Sequence, residues 1–401
     1  MRTIVCILVL FIVPLVPGQD LTEKEALQKL SSESPRAQAL AARVDLARAT
    51  ALTEGLPPNG SLAFSREAAG GAETYLLYEQ PLSVTGRRDY LRRAAVASAE
   101  SEGMGIRMQL HELRVDARLA FLELLLAQQQ LSLLDSGLAD LEEIVEVLRK
   151  REKAGESSGY DVVRAEREMS LLEADRGSAQ ARVERARGLL ASFFGLAQTP
   201  QPLRAIGALE KPRVPDLAFL IDRSEGRGDV QAERLMAESS TLSMEAARRK
   251  QYPEPVVAGG LKSPVVNGHR ESGYVLSVTI PLPLFDRGKA EMTRAKLAHK
   301  EAQARADAIK TEAQLKLKGA WEETQTRIHA AEIYRAKAVA ETGDLIRIVR
   351  SAYEGGEVGI LELLDAYRTR REVGLRMLEL DVAARQSAFE LERLAGEEVI
   401  P

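Results

Sequence analysis

The strongest constraint on the fold of this chain is an internal duplication. Gly155-Glu156 followed by Asp161-Val162-Val163-Arg164-Ala165 recurs as Gly356-Glu357 followed by Glu362-Leu363-Leu364-Asp365-Ala366, at an offset of 201. Pro81-Leu82 recurs as Pro281-Leu282 at an offset of 200, and Gly195 recurs as Gly396 at 201. A weaker pair sets Ser34-Pro35-Arg36 against Arg227-Gly228-Asp229, at an offset of 193. Copies of such a unit bury little alone and are built to stand beside further copies.

A chain of 401 residues would otherwise divide into two or three globular domains. Aromatic residues are only 4% and charged residues 28%, with abundant Ala, Leu, Glu and Arg, a composition of long paired helices and not of a thick globular core. The net charge of −4 is too small to suit a polyanion, so nucleic acid is not an expected partner.

Residues 1–18 are expected to form a removable signal peptide: Arg2 gives a positive start, Ile4 to Val16 is apolar, and Val16-Pro17-Gly18 ends on a small residue. The run falls short of the ~20 residues that span a bilayer and is broken by Pro14 and Pro17. Cys6, the single cysteine, lies within it. A mature chain free of cysteine suits an oxidising compartment. No later stretch reads as a transmembrane helix, so any membrane entry must be made by strands closed into a barrel.

From Arg87 to about Lys153 there is no proline, and apolar residues keep a 4-3 rhythm through Leu113, Ala117, Ala120, Leu124, Ala127, Leu131, Leu134, Leu138, Leu141, Val145 and Leu148. Such a helix would be ~100 Å long. Past a turn at Gly155 to Tyr160 the rhythm resumes with Val162, Ala165, Met169 and Leu172, is interrupted by Arg176, and continues through Leu190; its copy runs from Leu363 to Leu391 through Arg370. Two segments break the helical pattern at equivalent places. Residues 61–83 and 256–284 each read as two strands around a loop, Tyr274, Leu276, Val278, Ile280 and Leu282 facing one way and Ser277 and Thr279 the other. Helices at Leu21 to Glu54 and Asp216 to Gln251 precede them. The chain therefore divides into a first repeat at 19–196, a proline-rich linker at 197–215, and a second repeat at 216–401.

Catalytic and metal-binding patterns are missing. His111, His269, His299 and His329 are far apart and none stands in a ligand-spaced cluster. Gly155-Glu156-Ser157-Ser158-Gly159 is glycine-rich but lacks the Gly-Lys-Ser/Thr ending of a phosphate cradle. The expectation is a protein that is not an enzyme and needs no cofactor.

Ile280-Pro281-Leu282-Pro283-Leu284-Phe285-Asp286-Arg287-Gly288, together with the turns Ala154-Gly155-Glu156-Ser157 and Gly355-Gly356-Glu357-Val358, resembles the TolC-type outer membrane efflux channel family. The resemblance covers essentially the whole mature chain and looks most like the heavy-metal-efflux branch. It implies a mainly α fold with a small β part, assembled as a homotrimer with a 12-stranded transmembrane β-barrel in the outer membrane and a helical tunnel crossing the periplasm. It also implies that the turns at Gly155, Glu156 and Ser157 and at Gly356, Glu357 and Val358 form the tip. There a periplasmic adaptor would dock and link the duct to an inner-membrane transporter. Glu362 and Asp365 match the family's acidic constriction, and Tyr353 and Asp161 stand where partners of a polar lock are found. Val358 replaces the arginine often seen after the second turn, which weakens that lock. Glu362 can equally be solvated helix surface favoured by the helix dipole. Two other readings stay open, a periplasmic adaptor and an exported coiled-coil scaffold without a pore, although an adaptor of the familiar kind carries one hairpin and this chain carries two.

Overall fold

The structure is a computed structural model that describes residues 19–68, 72–195, 202–266 and 269–400. The expected signal peptide and residues 197–201 of the linker lie outside these residues.

The first helical segment is two helices, not one. α1 (Glu23–Glu33) opens on a capping box between Thr22 and Glu25, and α2 (Pro35–Glu54) follows after a single extended residue, Ser34. Ser34 accepts the Ala37 N–H at 3.4 Å, and Pro35 has no N–H with which to continue α1. The second copy breaks likewise, into α5 (Leu217–Ser224) and α6 (Gly228–Arg249). The caps of α2 and α6, Ser34 and Arg227, are the residues of the weaker sequence pair. Sequence periodicity also gave no sign of β1 (Gln19–Leu21), which pairs in parallel with β4 (Leu203–Ala205) inside the linker and ties the first repeat to it.

α3 (Arg87–Lys153) is one uninterrupted helix of 67 residues, with the boundaries the seam predicts, and α4 (Gly159–Phe193) returns along it. In the second repeat the outgoing helix is α7 (Lys289–Tyr334), a π-helical stretch at Arg335–Val339, and α8 (Ala340–Glu354); α9 (Ile360–Ala395) returns. The π turn was not foreseen. Thr342 donates its hydroxyl to the Ala338 carbonyl there, supplying a partner inside the widened turn.

The seam positions of α3, α4 and α9 are buried or half-buried, apart from Arg176 and Arg370. One core cluster joins α1, the middle of α3 and the end of α4 through Leu30, Phe121, Leu124 and Leu190; another joins α5, α7 and α9 through Leu220, Leu317 and Leu391. Duplication extends to the backbone. The left-handed glycines among the described residues fall into equivalent pairs, Gly86 with Gly288, Gly155 with Gly356, and Gly195 with Gly396. The last pair shares a packing role: a Cβ on Gly195 would lie 2.6 Å from Pro35, and one on Gly396 2.8 Å from Arg227, so each repeat closes by laying its last turn on the start of its own second helix.

Four long strands form one antiparallel sheet in the order β2 (Ser61–Ala68), β3 (Ala72–Pro81), β5 (Val256–Val266), β7 (Gly273–Thr279); β6 (His269–Arg270) pairs only the tip of β5. The two hairpins, one from each repeat, join through β3 and β5. β7 stops at Thr279, five residues before the expected limit, because Pro281 and Pro283 have no N–H to donate to a ladder. Ile280 and Leu282 therefore lie beyond the strand whose alternation they prolong.

Candidate functional site: sheet face and helical tip

The strand register sorts the side chains into two faces. Phe64 stands opposite Leu76, Leu76 opposite Leu261, and Leu261 opposite Tyr274, so these four share a face with Leu62, Tyr78, Leu276 and Val278. Ser65, Glu73, Tyr75, Lys262, Ser277 and Thr279 lie on the other. The expected division of β7 is therefore what the backbone produces. On the polar face Lys262 Nζ reaches Glu73 at 2.9 Å, and the Tyr75 hydroxyl donates to the same carboxylate. The apolar face lies open: Tyr274 is 87% exposed, Leu276 73% and Phe64 70%. Burying each such side chain is worth about 1.5–3 kcal/mol, which one chain alone leaves unclaimed. β2 and β7 pair on one side only.

At the far end of the helices the two turns have the same construction. Gly155 N–H bonds to Glu152 O at 2.9 Å and Glu156 N–H to Arg151 O at 2.8 Å; Gly356 N–H bonds to Tyr353 O at 3.1 Å and Glu357 N–H to Ala352 O at 2.9 Å. These are paired Schellman motifs, each closed by a glycine, at φ 79° and 75°. Gly155, Glu156, Gly356 and Glu357 are exposed, while Ser157 and Val358, equivalent by the repeat, are half-buried.

The acidic residues after the turns act first as helix caps. Asp161 accepts the Ser158 N–H at 3.4 Å and the Ser157 hydroxyl at 3.2 Å, and Glu362, its counterpart, accepts the Gly359 N–H at 3.1 Å. Glu362 and Asp365 are exposed on one side of α9, and Ile360, Leu363 and Leu364 are buried on the other. The Tyr353 ring packs in the tip core beneath the Arg151 guanidinium, 5.4 Å away. Tyr353 and Asp161 make no hydrogen bond to each other among the described residues: Tyr353 packs against Arg151 of the first hairpin, and Asp161 caps its own helix.

Sequence reading missed the links that bind the two hairpins. Arg350 on α8 reaches Glu143 on α3 at 3.0 Å, and Arg368 on α9 reaches Glu168 on α4 at 2.6 Å. A signal was present. Of the two arginines that interrupt the seams, Arg370 on α9 crosses to Asp140 on α3 at 3.3 Å, while Arg176 on α4 reaches Asp135 on α3 at 2.6 Å within the first hairpin.

Residues 222–397, nearly the whole second repeat, match the outer membrane efflux protein family. Its second repeat resembles that family in sequence. It is 25% identical over 318 residues to the cobalt-zinc-cadmium resistance protein CzcC of Cupriavidus metallidurans, covering 79% of this chain and 75% of that one. Its fold matches the solved structure of CusC with a TM-score of 0.75 at 17% identity, over 95% of this chain and 93% of that one. It also matches the open state of MtrE from Neisseria gonorrhoeae with a TM-score of 0.76 at 18% identity, over 94% and 89% of the two chains. An outer membrane efflux protein of this kind has its place in the outer membrane, with a long periplasmic portion, as the channel component of an efflux system. Among the described residues no helix is long and apolar enough to cross a membrane.

Proposed function

We propose that three copies of this chain close one 12-stranded barrel and one helical tunnel, and that the assembly is the exit duct of a tripartite pump for divalent metal cations. The observation that carries the reading is the four-stranded sheet, with β2 and β7 unpaired on their outer sides among the described residues and one apolar face largely exposed. An open edge is not tolerated in lipid, and pairing β7 of one copy with β2 of the next removes every edge at once. The apolar face then meets lipid, and Glu73, Lys262, Ser277 and Thr279 line the lumen. Metal cargo is favoured by the likeness to a cobalt-zinc-cadmium resistance protein. The metal is cargo in transit, and energy comes from the inner-membrane transporter.

At the tip, the exposed turns around Gly155 and Gly356 are the docking surface for a periplasmic adaptor, and Glu362 and Asp365 form an acidic constriction when three copies meet at an axis. Capping does not oppose this role. The Glu362 carboxylate that accepts the Gly359 N–H stays exposed.

The test is the mass of the detergent-solubilised protein together with disulfide trapping between one cysteine placed in β2 and one in β7. Three chains per particle and a cross-linked ladder ending at the trimer are expected; a stable monomer or dimer overturns the duct. Cells lacking the chain should become sensitive to cobalt, zinc and cadmium salts, and unchanged tolerance would remove the metal assignment.

A further inference from the structure

Where the sheet meets the helices, the two repeats are held level. Arg249 donates to the Thr85 carbonyl at 2.6 Å, its neighbour Lys250 reaches Asp286 at 2.6 Å and Glu291 at 2.7 Å, and the Leu82 N–H bonds to Pro255 O at 2.8 Å. Thr85 and Asp286 are thus brought to one height just past the ends of β3 and β7. Apolar side chains at this height point into open space: Phe285 is 100% exposed, and Leu284 and Val84 are exposed as well. They lie between the ends of the strands and the first turns of the long helices.

Directly below them the charge is positive. Arg287 and Lys289 are exposed, and among the described residues neither has a carboxylate within ion-pair reach. Arg287 spends only its Nε, on the Pro283 carbonyl at 3.2 Å, which leaves the two terminal nitrogens of its guanidinium for a ligand. The acid that adjoins Arg287 in sequence, Asp286, is occupied by Lys250 and by the Gly288 N–H at 3.0 Å. A fully exposed aromatic ring above two uncompensated cations, at the rim of an apolar strand face, matches the boundary between acyl chains and phosphate headgroups.

We propose that Phe285, Arg287 and Lys289 form a binding site for the anionic headgroup of a phospholipid in the periplasm-facing leaflet. Phe285 enters the acyl boundary and the two cations hold the phosphate. The site would fix the depth and rotation of the sheet in the bilayer. It rests on the reading of the sheet as the membrane-facing element, and the choice of leaflet follows from its position on the helical side of the sheet.

The experiment uses the full-length protein, purified in detergent, stripped of lipid and titrated with phosphatidylglycerol or phosphatidylcholine while bound lipid is counted by native mass spectrometry. The wild type should prefer phosphatidylglycerol, and the variant Phe285→Ser, Arg287→Gln, Lys289→Gln should lose about thirtyfold in affinity for it, a factor of about five for each of the two cations removed. Arg287→Lys alone should keep most of the preference. Equal binding of the two lipids by the wild type, or equal phosphatidylglycerol affinity in wild type and triple variant, overturns the site. Displacement of the lipid by excess inorganic phosphate would also overturn it, by reducing it to a bare anion site. Urea washing of membranes separates this failure from the larger one: a protein that washes off ends the membrane reading, whereas one that stays without lipid preference ends only the headgroup site.

Discussion

Arg368 grips Glu168 with both arms of its fork, donating from Nη2 at 2.6 Å and from Nε at 3.3 Å, and so fastens the second hairpin to the first across 200 residues of sequence. Arg371 approaches the same carboxylate at 3.5 Å. The Glu168 side chain is only 11% exposed. Burial acts to raise its pKa, but the two guanidiniums more than cancel that and hold it below the usual glutamate range.

A carboxylate with a depressed native pKa adds stability above its unfolded value and loses it as pH falls through the folded one. The clasp between hairpins should therefore be intact at neutral pH and weaken below about pH 4.5, the ordinary glutamate value. Glu168→Gln should reproduce the acid effect at neutral pH, at a cost of about 1–2 kcal/mol. Hydrogen exchange of the first turns of α9 reads this out; an exchange rate unmoved by either change would mean that apolar packing alone holds the hairpins together.

Glu362 both caps α9 and carries charge, and two substitutions separate these roles. Glu362→Gln with Asp365→Asn keeps an acceptor for the Gly359 N–H and should lower selectivity for cations over anions in planar bilayers without changing melting. Glu362→Ala removes the cap as well and should cost about 0.5–1 kcal/mol in addition. Unchanged selectivity in the isosteric pair would move the constriction to other residues.

Gly356→Val meets no atom within 4 Å, so its cost comes from the left-handed backbone at φ 75°, about 1–2 kcal/mol. The strain is confined to the exposed turn. Export should be lost while particle mass and membrane insertion are kept, and loss of assembly instead would show that the turn serves folding.

Single cysteines along β7 test the face assignment. A membrane-impermeant thiol reagent should label positions 277 and 279 and spare 276 and 278. The reverse pattern would require a shift of one residue in register, which transfers every side chain to the opposite face.

What this sequence determined alone is whatever depends on local period and punctuation. The limits of α3 follow from a proline-free stretch that starts at Arg87, carries a 4-3 rhythm from Leu113 to Leu148 and ends before the turn at Gly155, and the two tip turns follow from glycines that alone accept the required backbone. The faces of β7 follow from strict alternation, whose continuation through Ile280 and Leu282 overran the strand because periodicity is blind to the N–H groups that Pro281 and Pro283 lack. Tertiary structure decided everything that needs two distant segments to meet. β1 and β4 are three residues each, too short to carry a period, and become strands only because the fold lays Gln19 beside Leu203. Arg368 reads in the sequence as one charge among many on a solvated helix. Only the packing of α9 on α3 and α4 sets it against Glu168, because an ion pair is chosen by distance in space and leaves no mark on the spacing of either helix.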